Sequence, residues 1–126
     1  MSILVTGCSG FVGLNLCVEL LERGYEVIGI SRRETSDLTK LKKRKKFTFI
    51  STDIIDIEAI LAIFNIHNIE SIFHLAAYIP SGLNNEVECF RINCIGTHNI
   101  LESAKINSVK NVIFSSTQRV YSDNQI

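Results

Sequence analysis

Three glycines at three-residue spacing, Gly7, Gly10 and Gly13, lie between an apolar run, Ile3-Leu4-Val5, and an amphipathic stretch that begins at Phe11. Those residues suit one task, the binding of a dinucleotide pyrophosphate. Gly7 permits a sharp turn, Gly10 lets the backbone approach the anion, and Gly13 lets a helix pack closely on the preceding strand. The N–H groups of the helix's first turn then face the phosphates. Strand before and helix after are the context that separates this motif from an ordinary glycine-rich turn. A nucleoside-triphosphate loop does not fit, because Gly13 is followed by Leu14 and Asn15 rather than by Lys and Ser/Thr.

The elements that must hold this turn follow from hydrophobic spacing. Leu16, Cys17, Leu20 and Leu21 form one stripe of a first helix, and residues 25–30 read as a second strand. At that strand's end a carboxylate would accept from the 2′-hydroxyl of NAD, whereas arginine accommodates the 2′-phosphate of NADP. The residues there are Ser31-Arg32-Arg33, which favours NADP over NAD, with Glu34 the one nearby acid able to take the other role. A third strand at 47–51 precedes Asp53, placed for either a ligand or a turn. Asp56 is expected to cap a helix carrying Ile57, Ile60, Leu61 and Phe64 on one face. A fourth strand at 71–75 runs into Ala76-Ala77, small enough for a flat ligand to approach, and His74 within it reads as a satisfied core histidine.

Residues 84–108 give the longest helical pattern, with Val87, Phe90, Cys94, Leu101 and Ala104 near one stripe. Asn93, Gly96 and Thr97 interrupt that face, and suit either a ligand crevice or a helix-packing notch at Gly96. A fifth strand at 110–115 ends in the hydroxyl cluster Ser115-Ser116-Thr117. Strands alternating with helices imply an α/β fold, a doubly wound parallel sheet with right-handed crossovers and order 3-2-1-4-5. That order brings the glycine turn, Asp53, Ala76 and Thr117 to one topological switch point.

Composition sets the outer bounds. A chain of 126 residues, 46% hydrophobic and 21% charged, is expected to form one globular domain, 1–126. The formal net charge is zero, yet eight of the thirteen Lys and Arg residues fall between Ser31 and Lys46, five of them consecutive in Lys42-Lys43-Arg44-Lys45-Lys46, with nothing strongly acidic expected to balance them locally. No aromatic residue interleaves that run, so a solvated surface is expected and nucleic-acid binding is not. The first basic residue is Arg23, so no signal leader or membrane span is expected, and a cytoplasmic setting follows. Cys8, Cys17, Cys89 and Cys94 have no metal-ligand spacing and read as reduced thiols, mostly in packing roles.

In this order and spacing, Thr6-Gly-Cys-Ser-Gly-Phe-Val-Gly13, Asp53-Ile-Ile-Asp56, His74-Leu-Ala-Ala77, Asn93-x-x-Gly-Thr97 and Phe114-Ser-Ser-Thr-Gln-Arg-Val-Tyr121 resemble the N-terminal portion of an extended short-chain dehydrogenase/reductase. That group includes nucleotide-sugar epimerases and dehydratases. The resemblance implies a Rossmann-like fold, with Phe11 and Val12 at the pyrophosphate turn and Asp53 and Ile54 against the adenine. Leu75, Ala76 and Ala77 would line the nicotinamide side, Asn93 would support the nicotinamide ribose, and Ser115 would face the same crevice. Thr117 matches the family's catalytic Ser/Thr, and Ser31 replaces the acid usual in NAD-preferring members.

The resemblance also implies a nucleotide-sugar substrate for the parent enzyme; separately, a fifth strand left as an edge and uncovered apolar helix faces predict self-association, as a homo-oligomer, or a partner. The chain departs from the family at the proton-transfer centre, a Tyr-x-x-x-Lys pair whose lysine lowers the tyrosine's pKa. Tyr121 does not supply it, since position 125 is Gln. Two functions are therefore expected: the NAD(P)-binding portion of an epimerase, dehydratase or reductase without the later strands and substrate domain, or a non-enzymatic dinucleotide-responsive or partner-binding module.

Overall fold

The computed structural model describes residues 1–79, 85–117 and 120. Five parallel strands, β1 (Ser2–Thr6), β2 (Glu26–Ser31), β3 (Phe47–Ser51), β4 (Ile69–His74) and β5 (Asn111–Phe114), lie in the order β3-β2-β1-β4-β5, as the alternation of elements implies. Central strands of such a sheet must be apolar on both faces. Accordingly Leu4, Val5, Val27, Ile28 and Ile30 are wholly buried.

Side chains alternate between the faces and build two cores. Leu4, Ile28 and Ile30 meet Ile60, Ile63 and Phe64 of helix α3 (Ile57–Ile66) and Ile100 and Ala104 of helix α5 (Thr97–Ile106). Val5, Val27 and Phe47 meet Cys17, Leu20 and Leu21 of helix α1 (Phe11–Glu22) and Leu38 and Leu41 of helix α2 (Ser36–Leu41). Burial pushes the Cys8 and Cys17 thiols up to about 11 and about 12, so both are packing residues, while Cys89 is half-buried and Cys94 exposed. Asp56 caps α3 as expected, its Oδ1 accepting from the Ala59 N–H at 3.0 Å.

Two expectations need correction. The basic run is solvated, but it has acidic partners: Lys42 pairs with Glu34 at 3.1 Å and Arg44 with Glu22 at 3.4 Å. Glu34 is held below the usual carboxylate range by hydrogen bonds from Lys42 and Thr39, and it does not line the cleft described below. The second correction concerns the long helix. Within the described residues it comprises helix α4 (Glu86–Phe90), a π-helical segment (Arg91–Gly96) and α5, and Asn84 at its expected start lies outside them.

A π segment inserts extra backbone per turn and so rotates the face presented by what precedes it. One stripe therefore cannot serve both halves. Val87 and Phe90 are 76% and 61% exposed, Cys94 and Leu101 also face outward, and only Ala104 of the expected stripe is buried. Ile92, Gly96, Asn99, Ile100 and Ser103 take the inner positions instead. Gly96 is a packing notch, since a Cβ there would lie 2.5 Å from the Ile54 side chain.

One polar network ties three elements together at the C-terminal end of the sheet. Thr6 Oγ1 accepts from the N–H groups of Leu75 (3.1 Å) and Ala76 (3.0 Å), which fills both its lone pairs. Its proton must then go to His74 Nδ1, 2.7 Å away, leaving Nε2–H to donate to Thr97 Oγ1 at 2.9 Å. The arrangement needs neutral imidazole. Desolvation by burial supplies it, pushing the His74 pKa down to about 4.

The unfolded chain titrates His74 near its ordinary value of about 6.5, so it binds more protons than the native state across roughly pH 4 to 6.5. This component of stability is complete above that window and disappears as pH falls through it. Denaturant titrations are expected to show a loss of about 2–3 kcal/mol attributable to His74 between pH 7 and pH 4. His74→Gln, less stable at neutral pH, should give a correspondingly flatter profile; an unaltered slope would refute the assignment.

Candidate dinucleotide site

The glycine turn begins where β1 ends. Gly7 has φ +70°, a left-handed conformation that a side chain would strain, and a Cβ there would stand 2.8–2.9 Å from the backbone of Leu75 and Ala76. A Cβ at Gly13 would overlap the Gly7 carbonyl oxygen. The turn is further anchored by its neighbour, because the Ile30 carbonyl accepts from Gly7 N–H at 2.9 Å and from Cys8 N–H at 3.3 Å. Helix α1 starts from Gly10 with no side-chain cap and no acid in its first turn. Its leading N–H groups are therefore left for an anion.

The tips of β2 and β3 form the second wall. The Ser31 hydroxyl donates to the Arg33 carbonyl at 2.7 Å, Thr52 N–H donates to the Ser31 carbonyl at 3.1 Å, and Ser51 Oγ donates to the Arg32 carbonyl at 3.3 Å. These bonds fix the backbone of the two arginines. Asp53 Oδ1 accepts from Ile55 N–H at 3.2 Å, so Asp53 shapes its own turn as well as facing the cleft. Asn99, buried in α5, donates to the carbonyls of Ile54 and Ile55, both at 3.0 Å.

The third wall is the chain leaving β4. Asn93 pairs with the Tyr78 peptide as another peptide would: its Oδ1 accepts from Tyr78 N–H at 2.7 Å and its Nδ2 donates to the Tyr78 carbonyl at 2.9 Å. The π segment presents that amide to the loop. This is how a polar residue comes to interrupt the helix.

These three walls enclose a cleft of about 320 Å³ at the C-terminal ends of the strands. It brings together Gly7, Gly10, Ser31, Arg32, Arg33, Asp53, Ile54, Leu75, Ala76 and Ala77 of the residues expected from sequence. Ser9, Ile30, Thr52 and Ile92 also line it, and nothing in their types had marked them. The remaining expected residues lie apart from its lining. Phe11 and Val12 are 86% and 62% exposed, Gly13 packs under the turn, and Asn93 is engaged with Tyr78. Ser115 and Thr117 follow β5; Ser115 N–H donates to the His74 carbonyl at 3.2 Å, and the Thr117 carbonyl accepts from Val120 N–H at 3.4 Å. Tyr121 lies outside the described residues.

A parallel 3-2-1-4-5 sheet with a glycine turn at its switch point is Rossmann-like. The chain belongs to the NAD dependent epimerase/dehydratase family, whose model matches residues 3–126. It is 33% identical over 128 residues to the UDP-glucose 4-epimerase of Bacillus subtilis, covering 96% of this chain and 38% of that protein. It is 34% identical over 130 residues to a Klebsiella pneumoniae UDP-glucose 4-epimerase sequence, covering 98% of this chain and 94% of that one. Among solved structures, the UDP-glucose 4-epimerase from Bifidobacterium longum in complex with NAD+ and UDP superposes with a TM-score of 0.86 at 27% identity, over 97% of this chain and 38% of that one. The chain thus spans little more than a third of the Bacillus and Bifidobacterium enzymes.

Asn93→Ala would strand the Tyr78 N–H and carbonyl, at a cost of about 1–3 kcal/mol for partly buried polar groups left unpaired. Amide hydrogen exchange is expected to show lost protection at Tyr78 in Asn93→Ala and retained protection in Asn93→Asp, which still accepts that bond. Equal protection in all three proteins would remove Asn93 from its positioning role.

Proposed function

We propose that the cleft binds a nicotinamide dinucleotide, as the cofactor portion of an enzyme acting on a nucleotide-sugar. The observation that carries this reading is the convergence of the glycine turn, the β2 and β3 tips and the end of β4 on one cleft. The pyrophosphate would lie against Gly7 to Gly10 and the uncapped start of α1, and the adenosine between Ser31–Arg33 and Asp53–Ile54. The nicotinamide would lie toward Leu75, Ala76 and Ala77. The bound cofactor would accept hydride from a sugar carbinol carbon and, in an epimerase or dehydratase, return it.

Within this assignment NADP is preferred to NAD. Ser31 puts no carboxylate beneath the ribose and spends its hydroxyl on the Arg33 carbonyl, while Arg32 and Arg33 both line the cleft. Thr117 would hydrogen-bond the reacting sugar oxygen. None of Tyr25, Tyr78 and Tyr121 is followed four residues later by lysine, so these 126 residues carry no Tyr-x-x-x-Lys pair to lower a phenol's pKa from about 10. We infer that they bind cofactor without turnover. The cytoplasm is the setting we assign, in keeping with four cysteines that remain free.

A second reading, a non-enzymatic module that works through association, is favoured by one observation. Val112, Ile113 and Phe114 are exposed on β5, an edge strand, and Val87, Phe90 and Leu101 are exposed on the helices that precede it. Self-association would cover such surface, so sedimentation is expected to detect a dimer or larger species. A strictly monomeric chain at high concentration would weigh against it.

Calorimetric titration with NADPH and NADH is the direct test of the first reading. NADPH is expected to bind more tightly, with the preference reduced in Arg32→Ala and binding lost in Gly10→Val, whose added side chain crowds the Gly7 carbonyl. The same preparation should show no epimerase or reductase turnover with UDP-glucose. Tighter NADH binding would reverse the cofactor preference, and measurable turnover would refute the absence of a proton-transfer centre.

A further inference from the structure

We propose that Glu88 sets how strongly the cleft favours a 2′-phosphorylated dinucleotide, by competing with that phosphate for Arg32. The inference rests on the dinucleotide reading above and assigns a selectivity role to a residue that does not line the cleft. Arg32 does line it, from the tip of β2. Its Nη1 stands 3.9 Å from Oε1 of Glu88, which belongs to α4. The other carboxylate oxygen, Oε2, accepts from Arg91 Nη1 at 2.8 Å. Glu88 is thereby anchored on its own helical side and extends its free oxygen toward the β2 tip.

The length of that contact decides its effect. At 3.9 Å it is an ion pair without a hydrogen bond, whereas a phosphate offers a guanidinium short, bidentate, charge-assisted bonds. A 2′-phosphate can therefore take Arg32 from Glu88, but it must break the pair and bring its own negative charge toward a carboxylate. A ribose with a bare 2′-hydroxyl meets neither cost. Arg33, the other guanidinium lining the cleft, has no ion pair among the described residues. The cleft thus holds one tethered and one untethered arginine, and Glu88 restrains only the first. As the partners are both substantially exposed, the expected effect is modest, about two- to fivefold in affinity.

The test uses 2′,5′-ADP and 5′-ADP, which occupy the adenosine end alone and differ by the 2′-phosphate. Calorimetric titration of Glu88→Gln is expected to show 2′,5′-ADP binding about two- to fivefold tighter than to the unsubstituted chain, with 5′-ADP unchanged. In an Arg32→Ala background the same substitution should move 2′,5′-ADP affinity by less, because there is no arginine left to release. An equal change for both ligands, or an equal effect with and without Arg32, would overturn the proposal. If both ligands bind and Glu88→Gln leaves their ratio unchanged, the proposal falls and the dinucleotide reading stands. If neither binds the unsubstituted chain, the dinucleotide reading fails and takes the proposal with it.

Discussion

Backbone touches backbone where the glycine turn meets the end of β4, and the cleft depends on that contact. The space a Gly7 Cβ would need is already filled by the Leu75 and Ala76 main chain. Such proximity would strand polar groups were they not satisfied, and Thr6 satisfies them, its hydroxyl accepting from both N–H groups and donating to His74. His74 passes the constraint to Thr97 at the start of α5. Two strand ends and a helix are thus locked by one buried imidazole that must remain neutral. Burial keeps it so, making desolvation a structural asset at this position.

The second shaping force is the π segment. By widening the helix between α4 and α5 it turns Asn93 toward Tyr78 while leaving Gly96 to receive the Ile54 side chain. Two walls of the cleft are therefore set by positions three residues apart on one element, since Ile54 lies beside Asp53 in one wall and Tyr78 follows Ala77 in the other. Asn99, one turn further on, holds the Ile54 and Ile55 carbonyls. A regular α-helix would present these side chains in a different rotational relation, and at least one of these contacts would be lost.

What was legible in the sequence was local. Glycine spacing, an Asp56 that caps its own helix and runs of apolar residues at strand length are governed by neighbours within a few positions, and the alternation of elements then fixes the sheet order. The π segment was not legible, because no composition marks the extra residue that shifts the helix face; the stripe drawn through Val87, Phe90 and Cys94 assumed unbroken 3.6-residue periodicity. The acidic partners of the basic run were hidden for another reason, distance along the chain. Glu22 precedes Arg44 by 22 positions, and only the fold brings them together. Ser9, Thr52 and Ile92 line the cleft through placement, with no chemical type to distinguish them. Phe11 and Val12 belong to the turn in sequence but project outward from it.

The distribution of residues along the chain separates the walls of the cleft from the hydroxyls that follow β5. Among the described residues, every one that lines the cleft precedes Asn93, and β5 contributes none. The sheet position of β5 explains this, for the switch point lies between β1 and β4, while β5 is one strand further out with a single neighbour. Ser115 and Thr117, the hydroxyls assigned to the reacting end, come only after that edge strand, and their placement depends on four ladder residues whose side chains are exposed. The cleft walls, by contrast, rest on strands β1 and β2, whose central side chains are buried on both faces. The cleft walls are thus built into the best-packed part of the fold, whereas Ser115 and Thr117 follow its least-covered strand, so loss of packing at β5 would displace those hydroxyls before it disturbed the cleft.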